Sequence, residues 1–92
     1  MKLSEHVRST HNPDGAVVLD ILHGEMYRLN FVGSRMLELL KQGFTNVQIV
    51  DAISRDFGIG RETVTADLQE FLVHLQKHSL LEQSEPGRRA VL

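Results

Sequence analysis

His74 and His78 stand four residues apart, the interval that places two imidazoles on one face of a helix and that helical zinc sites use. The segment His74-Leu75-Gln76-Lys77-His78 lacks the glutamate of a metalloprotease motif, and the Lys77 ammonium would repel a cation. The pair therefore reads as surface histidines whose surroundings tune their protonation, and no metal site is expected. Asp51, Asp56, Glu62, Asp67 and Glu70 offer carboxylates, but most fall on solvated helix faces, and no Ser-His-Asp set stands beside them. Gly58-Ile59-Gly60 has neither the third glycine nor the Lys-Ser/Thr of a phosphate loop and reads as a turn between helices. The chain has no cysteine, which excludes thiolate metal sites and disulfides. With 92 residues there is little room for a closed pocket. The expectation is a protein that is not an enzyme and carries no cofactor.

A chain of this length makes one domain with one core. Its net charge of −2 suggests neither a nucleic-acid nor an anionic-membrane partner. The segment Met1-Lys2-Leu3-Ser4-Glu5-His6 has no apolar stretch of the secretory kind, and no apolar run approaches the ~20 residues that span a bilayer. The expected address is cytoplasmic.

The elements that must position any site follow from periodicity. Leu3 to Thr10 alternates weakly, as an edge strand does. His11-Asn12-Pro13-Asp14-Gly15 is a turn, with proline presetting φ and Asp-Gly supplying a positive-φ position. Val17, Leu19 and Ile21 alternate with Val18 and Asp20, which predicts a strand whose apolar face carries the first three. After a turn at Gly24, Tyr27 and Leu29 alternate with Met26 and Arg28 in a third strand. Asn30 is the predicted N-cap of a helix over 31–42 that stops at Gly43. Thr45 and Gln48 form a capping box for a second helix carrying Val47, Ile49, Val50, Ile53 and Phe57 and stopping at Gly58. A third helix starts near Gly60-Arg61 and reaches Ser79, with Val64, Leu68, Phe71, Leu72 and Leu75 on one face. The predicted fold is α+β: a three-stranded antiparallel sheet followed by three helices, similar to a winged helix-turn-helix. Residues 1–82 form the domain and residues 83–92 a flexible tail.

That order admits three uses. A winged helix that binds DNA would read bases with the third helix, but from Arg61 to Lys77 two cations (Arg61, Lys77) face three anions (Glu62, Asp67, Glu70), so the phosphate-contact term is missing. The strand at Glu25–Leu29 leaves an edge that can accept an extended peptide as a further strand, with pockets supplied by the third helix. A second copy could close the same edge, so the expected state is a monomer or a strand-exchanged dimer.

Residues spread from Val7 to Glu82 resemble the PqqD family: Asp14-Gly15-Ala16-Val17-Val18-Leu19-Asp20, the Gly24 turn, Tyr27-Arg28-Leu29-Asn30, Gly33, Leu37-Glu38-Leu39-Leu40, Gly43-Phe44-Thr45 with Ile49-Val50, and Asp67-Leu68 through Phe71-Leu72-Val73-His74-Leu75 to Ser79-Leu80-Leu81-Glu82. The resemblance implies a recognition element for the leader of a ribosomally synthesised, modified peptide. The leader would add as an antiparallel strand on the third strand, against the third helix. The implied partner enzyme is a leader peptidase in lasso-peptide synthesis or, alternatively, a radical SAM enzyme in pyrroloquinoline quinone synthesis. Carried over by position, the docking strand is Glu25, Met26, Tyr27, Arg28 and Leu29, and the helix wall is Val64, Asp67, Leu68, Phe71 and Leu75. The spacing Asp20-x-x-x-Gly24-x-x-Tyr27-x-Leu29-Asn30 is closer to the stand-alone lasso-type members, PqqD proper having a more basic hairpin. Ser79 departs from the glycine common at that position.

Overall fold

Strand β1 (Val7–Asn12), β2 (Gly15–Asp20) and β3 (Glu25–Leu29) precede helices α1 (Phe31–Lys41), α2 (Asn46–Phe57) and α3 (Arg61–Lys77). This is the α+β order expected. The computed structural model describes residues 3–81, so the expected tail at 83–92 lies outside the described residues. No helix among them is long and apolar enough to cross a membrane. The strands form one antiparallel sheet in the order β1-β2-β3.

The first hairpin is tighter than expected. The ladder runs to Asn12↔Gly15, so Pro13 and Asp14 alone make the turn, and the Asp14 amide donates to Asn12 Oδ1. Gly15 allows the end of β3 to approach, since a Cβ there would collide with the Leu29 carbonyl oxygen. Strand β1 accordingly begins at Val7 and not Leu3. Leu3 instead forms an isolated bridge with Leu81 beyond α3, and Ser4 donates its amide to the Leu80 carbonyl at 3.0 Å.

The face of β2 is the reverse of the one expected. Ala16, Val18 and Asp20 point into the protein, while Leu19 and Ile21 are 43% and 57% exposed on the outer face. Alternation gives the period but not which face is inward. Helix α1 packs on the side of Ala16 and Val18, and its Ser34 and Lys41 side chains reach His11 Nδ1 and Ser9 Oγ of β1. The charged Asp20 faces inward because His23, in the turn after it, supplies hydrogen bonds to its carboxylate.

The helices end as their sequences dictate. Asn30 Oδ1 accepts the Gly33 amide at 2.7 Å, and the Thr45–Gln48 capping box is complete. The core joins Met36, Leu37, Leu39 and Leu40 of α1 to Ile49, Val50 and Ile53 of α2 and Val64, Leu68, Leu72 and Leu75 of α3. Val47, predicted on the apolar face of α2, is 64% exposed in its first turn. Helix α3 stops at Lys77, two residues short of the expected Ser79, in a Schellman motif: the Leu80 amide donates to the Leu75 carbonyl and the Ser79 amide to that of Gln76. Ser79 holds the left-handed position of that motif, at φ 59°. Leu80 and Leu75 are both buried below it.

Candidate functional site

The ladder identifies which backbone groups are free. The Ile21 amide donates to the His6 carbonyl, and in an antiparallel ladder the bonded pairs alternate, so residues 17, 19 and 21 of the chain turn their backbone groups toward β1. Ala16, Val18 and Asp20 then face β3, where their partners are Leu29, Tyr27 and Glu25. The N–H and C=O groups of Met26 and Arg28 therefore point away from β2, to the outer edge of the sheet. No other strand among the described residues pairs with that edge.

Beyond the edge lies α3. Between them opens a groove of about 430 Å³ whose lining includes Tyr27, Leu29, Asp67, Phe71, His74 and Leu75. Tyr27 and Leu29 are half-buried side chains of β3 that lean into it, and Phe71 is half-buried on α3. Leu75 forms part of the floor. Asp67, Glu70 and His74, all exposed, border it along α3. The strip is apolar below and negatively charged at one rim, which suits an extended segment with alternating side chains.

Tyr27 is held in place on both sides. Its hydroxyl donates to Glu25 Oε1 at 2.8 Å, and its ring lies 5.0 Å from that of His78. The His78 ring is also 5.0 Å from that of His74, so it packs between two residues that line the groove. The hydrogen bond to the Glu25 carboxylate holds the Tyr27 phenol above its ordinary value of 10.0, with burial and the charges of Glu25 and Asp20 acting the same way.

The expected strand residues Glu25, Met26, Tyr27, Arg28 and Leu29 all fall in β3, but in two roles. Tyr27 and Leu29 present side chains to the groove, whereas Met26 (62% exposed) and Arg28 present only backbone to the edge and turn their side chains to the sheet's outer face. Of the expected helix wall, Asp67, Phe71 and Leu75 line the groove. Val64 and Leu68 do not, being 1% and 2% exposed in the core beneath. The apolar period of α3 marked its core face, and the groove takes the shoulder of that face. His74, read from sequence as a surface residue, belongs to the groove. The spacing 67–71–74–78, one stripe of α3, was the available signal. Asn30, read as the N-cap of α1, and Gly33, read only as part of the family resemblance, also line it.

At the other end of β3 the buried Asp20 carboxylate accepts from the His23 amide at 3.1 Å and from the His23 ring at 2.7 Å. Burial raises its pKa, but the His23 bonds and the charges of His23 and His6 outweigh burial and hold it below the ordinary 3.8.

The sequence pattern of the family described as Coenzyme PQQ synthesis protein D (PqqD) matches residues 15–81. The solved structure of TbiB1 in complex with the TbiA(beta) leader peptide is similar to this chain, with a TM-score of 0.83 and 40% identity over 92% of this chain and 99% of that one. Lasso peptide synthetase B1 complexed with the leader peptide shares the fold, with a TM-score of 0.79 and 18% identity over 86% of this chain and 93% of the other. A search of curated proteins finds no match.

Proposed function

The chain belongs to the PqqD family, and from that premise we propose that it binds the leader segment of a ribosomally synthesised precursor peptide as an added antiparallel strand on β3. It then presents that leader to a maturation enzyme, the leader peptidase of a lasso-peptide pathway. The role is recognition, without catalysis. The observation that carries the reading is the free edge at Met26 and Arg28 set beside an apolar groove.

Each of those two residues offers one N–H and one C=O, enough for four main-chain bonds to an incoming strand. Main-chain bonds give affinity without regard to sequence, so specificity falls to the groove. Leader side chains on the groove side meet Tyr27, Leu29, Phe71 and Leu75. A cationic leader side chain over the rim pairs with Asp67 or Glu70, each exposed pair contributing about 0.2–1 kcal/mol. Val64 and Leu68 act on binding only through the packing of α3.

The lasso branch is favoured over the pyrroloquinoline quinone branch by the spacing from Asp20 to Asn30. The likeness to TbiB1, 40% identical and solved with the TbiA(beta) leader peptide, supports leader binding itself. The test is fluorescence anisotropy of a dye-labelled leader from the precursor encoded beside the gene. Arg28→Pro removes an edge donor without touching the ladder to β2, and proline is tolerated on a sheet edge. The variant is expected to keep its circular dichroism spectrum and lose binding. An Arg28→Pro protein that binds as the parent does would overturn the reading.

A further inference from the structure

Away from the groove, one cluster of ligating side chains is left without a role. His6 Nε2, the Asp20 carboxylate and His23 Nδ1 converge at the end of the sheet where β2 turns into β3, with their ligand atoms all within 4.8 Å of one another. We propose that these three residues form a binding site for a divalent transition-metal ion of the zinc type. Neither His6 nor its contribution is part of the family pattern, which begins at residue 15.

The donor set is two imidazole nitrogens and one carboxylate, the chemistry that selects zinc and its neighbours over magnesium or calcium. The carboxylate already spans the histidines: Oδ1 faces His6 Nε2 at 3.7 Å and Oδ2 faces His23 Nδ1 at 2.7 Å. Bound to one tetrahedral ion at ~2.0–2.2 Å, such atoms would sit roughly 3.4 Å apart. The His6 contact at 3.7 Å is already close to that spacing, while the His23 contact at 2.7 Å must open by about 0.7 Å. The His23 side chain, 53% exposed on a turn, has the freedom to supply that movement, while Asp20, 1% exposed, is the fixed point.

A second observation points to the same place. His6 Nε2 is buried and has no hydrogen-bond partner among the described residues. A buried ring nitrogen aimed at a carboxylate but too far to bond to it is a polar group without a use in the protein alone. An ion between them gives it one. The backbone holds the set ready: the Ile21 amide donates to the His6 carbonyl at 2.9 Å, and the Gly24 amide to that of Asp20 at 2.8 Å. Three protein ligands leave a position for water, and the ion would clamp the segment before β1 to the turn that leads into β3. Positions 6, 20 and 23 have no motif spacing, unlike the four-residue interval of His74 and His78.

The experiment is calorimetric titration of the full chain, purified without a polyhistidine tag and stripped with chelator, using zinc chloride. Nitrogen-15 spectra of the histidine rings are recorded in parallel. The expected result is one ion per chain, with shifts at His6 Nε2 and His23 Nδ1 and a thermal midpoint that rises with zinc concentration. His6→Gln and His23→Gln each weaken binding at least ~10-fold. His23 lies on an exposed turn, so its variant tests the site even if His6→Gln unfolds. A His74→Gln, His78→Gln double variant binds as the parent does. Absence of one-to-one binding below millimolar zinc, or binding that survives His23→Gln and disappears in the α3 double variant, overturns the proposal. Since the site lies outside the groove, neither outcome bears on leader binding.

Discussion

Tyr27 is the single tyrosine of the chain, and there is no tryptophan, so its ionisation is read without overlap as tyrosinate absorbance near 295 nm. With its hydroxyl on the Glu25 carboxylate, it is expected to titrate above 10.0 in the folded protein and to fall back toward that value in Glu25→Gln. The sign for stability follows: between the unfolded and folded values the native state keeps a proton that the unfolded chain has lost. Stability therefore declines as pH rises through that window, and Tyr27→Phe should flatten the decline. An ordinary titration curve in the folded parent would refute the hydrogen bond. Ser79 makes a separate case. It takes a left-handed φ that glycine adopts freely and serine does not, so Ser79→Gly should stabilise the protein by about 0.5–1 kcal/mol in urea unfolding. The Ser4 hydroxyl bond to the Ser79 carbonyl survives that change, since it uses backbone only. This departure from glycine was visible in the sequence, and the φ angle supplies its physical meaning.

At the scale of elements, the strand periods were legible and their facing was not. Val17, Leu19 and Ile21 look like a core face because they are apolar, yet the strand turns Ala16, Val18 and Asp20 inward. The deciding factor is tertiary: α1 covers that side, and the turn after β2 satisfies the Asp20 carboxylate, so a charge is accommodated there. The same facing fixes the free edge. Since Tyr27 bonds to Val18 of β2, a proline at Tyr27 would break the sheet, whereas prolines at Met26 or Arg28 strike only the outer edge. Met26→Pro and Arg28→Pro are expected to fold and fail to bind the leader, and Tyr27→Pro to lose helix and sheet signals together. On α3 the two kinds of position separate likewise. Leu68→Ala should cost about 2–5 kcal/mol in stability, because it opens a cavity in the core. Phe71→Ala should weaken leader binding ~10-fold, about 1.4 kcal/mol, with a smaller loss of stability. Equal stability losses from the two would contradict the placement of Phe71 at the groove.

Over the whole molecule, sheet, helices and groove form one device: a hairpin ends in an edge strand, and the last helix returns alongside it to wall the groove. The order of elements could be read from capping residues and periodicity, because Asn30, Thr45-Gln48, Gly43 and Gly58 act locally on the backbone. The groove could be read only in part. Tyr27, Leu29, Asp67, Phe71 and Leu75 line it, whereas Val64 and Leu68, carried over from the family resemblance with the rest of the helix wall, lie in the core. His74 shares the 67–71–74 stripe of α3, but Asn30 and Gly33 reach the groove through tertiary packing that no local pattern encodes. The most direct test of strand addition is a nuclear Overhauser spectrum of isotope-labelled protein with the unlabelled leader peptide. The predicted result is cross-strand contacts from the leader backbone to the Met26 and Arg28 amides, with shifts at Phe71 and His74. Contacts confined to the opposite face of the sheet or to α2, with the Met26 and Arg28 amides unmoved, would contradict it.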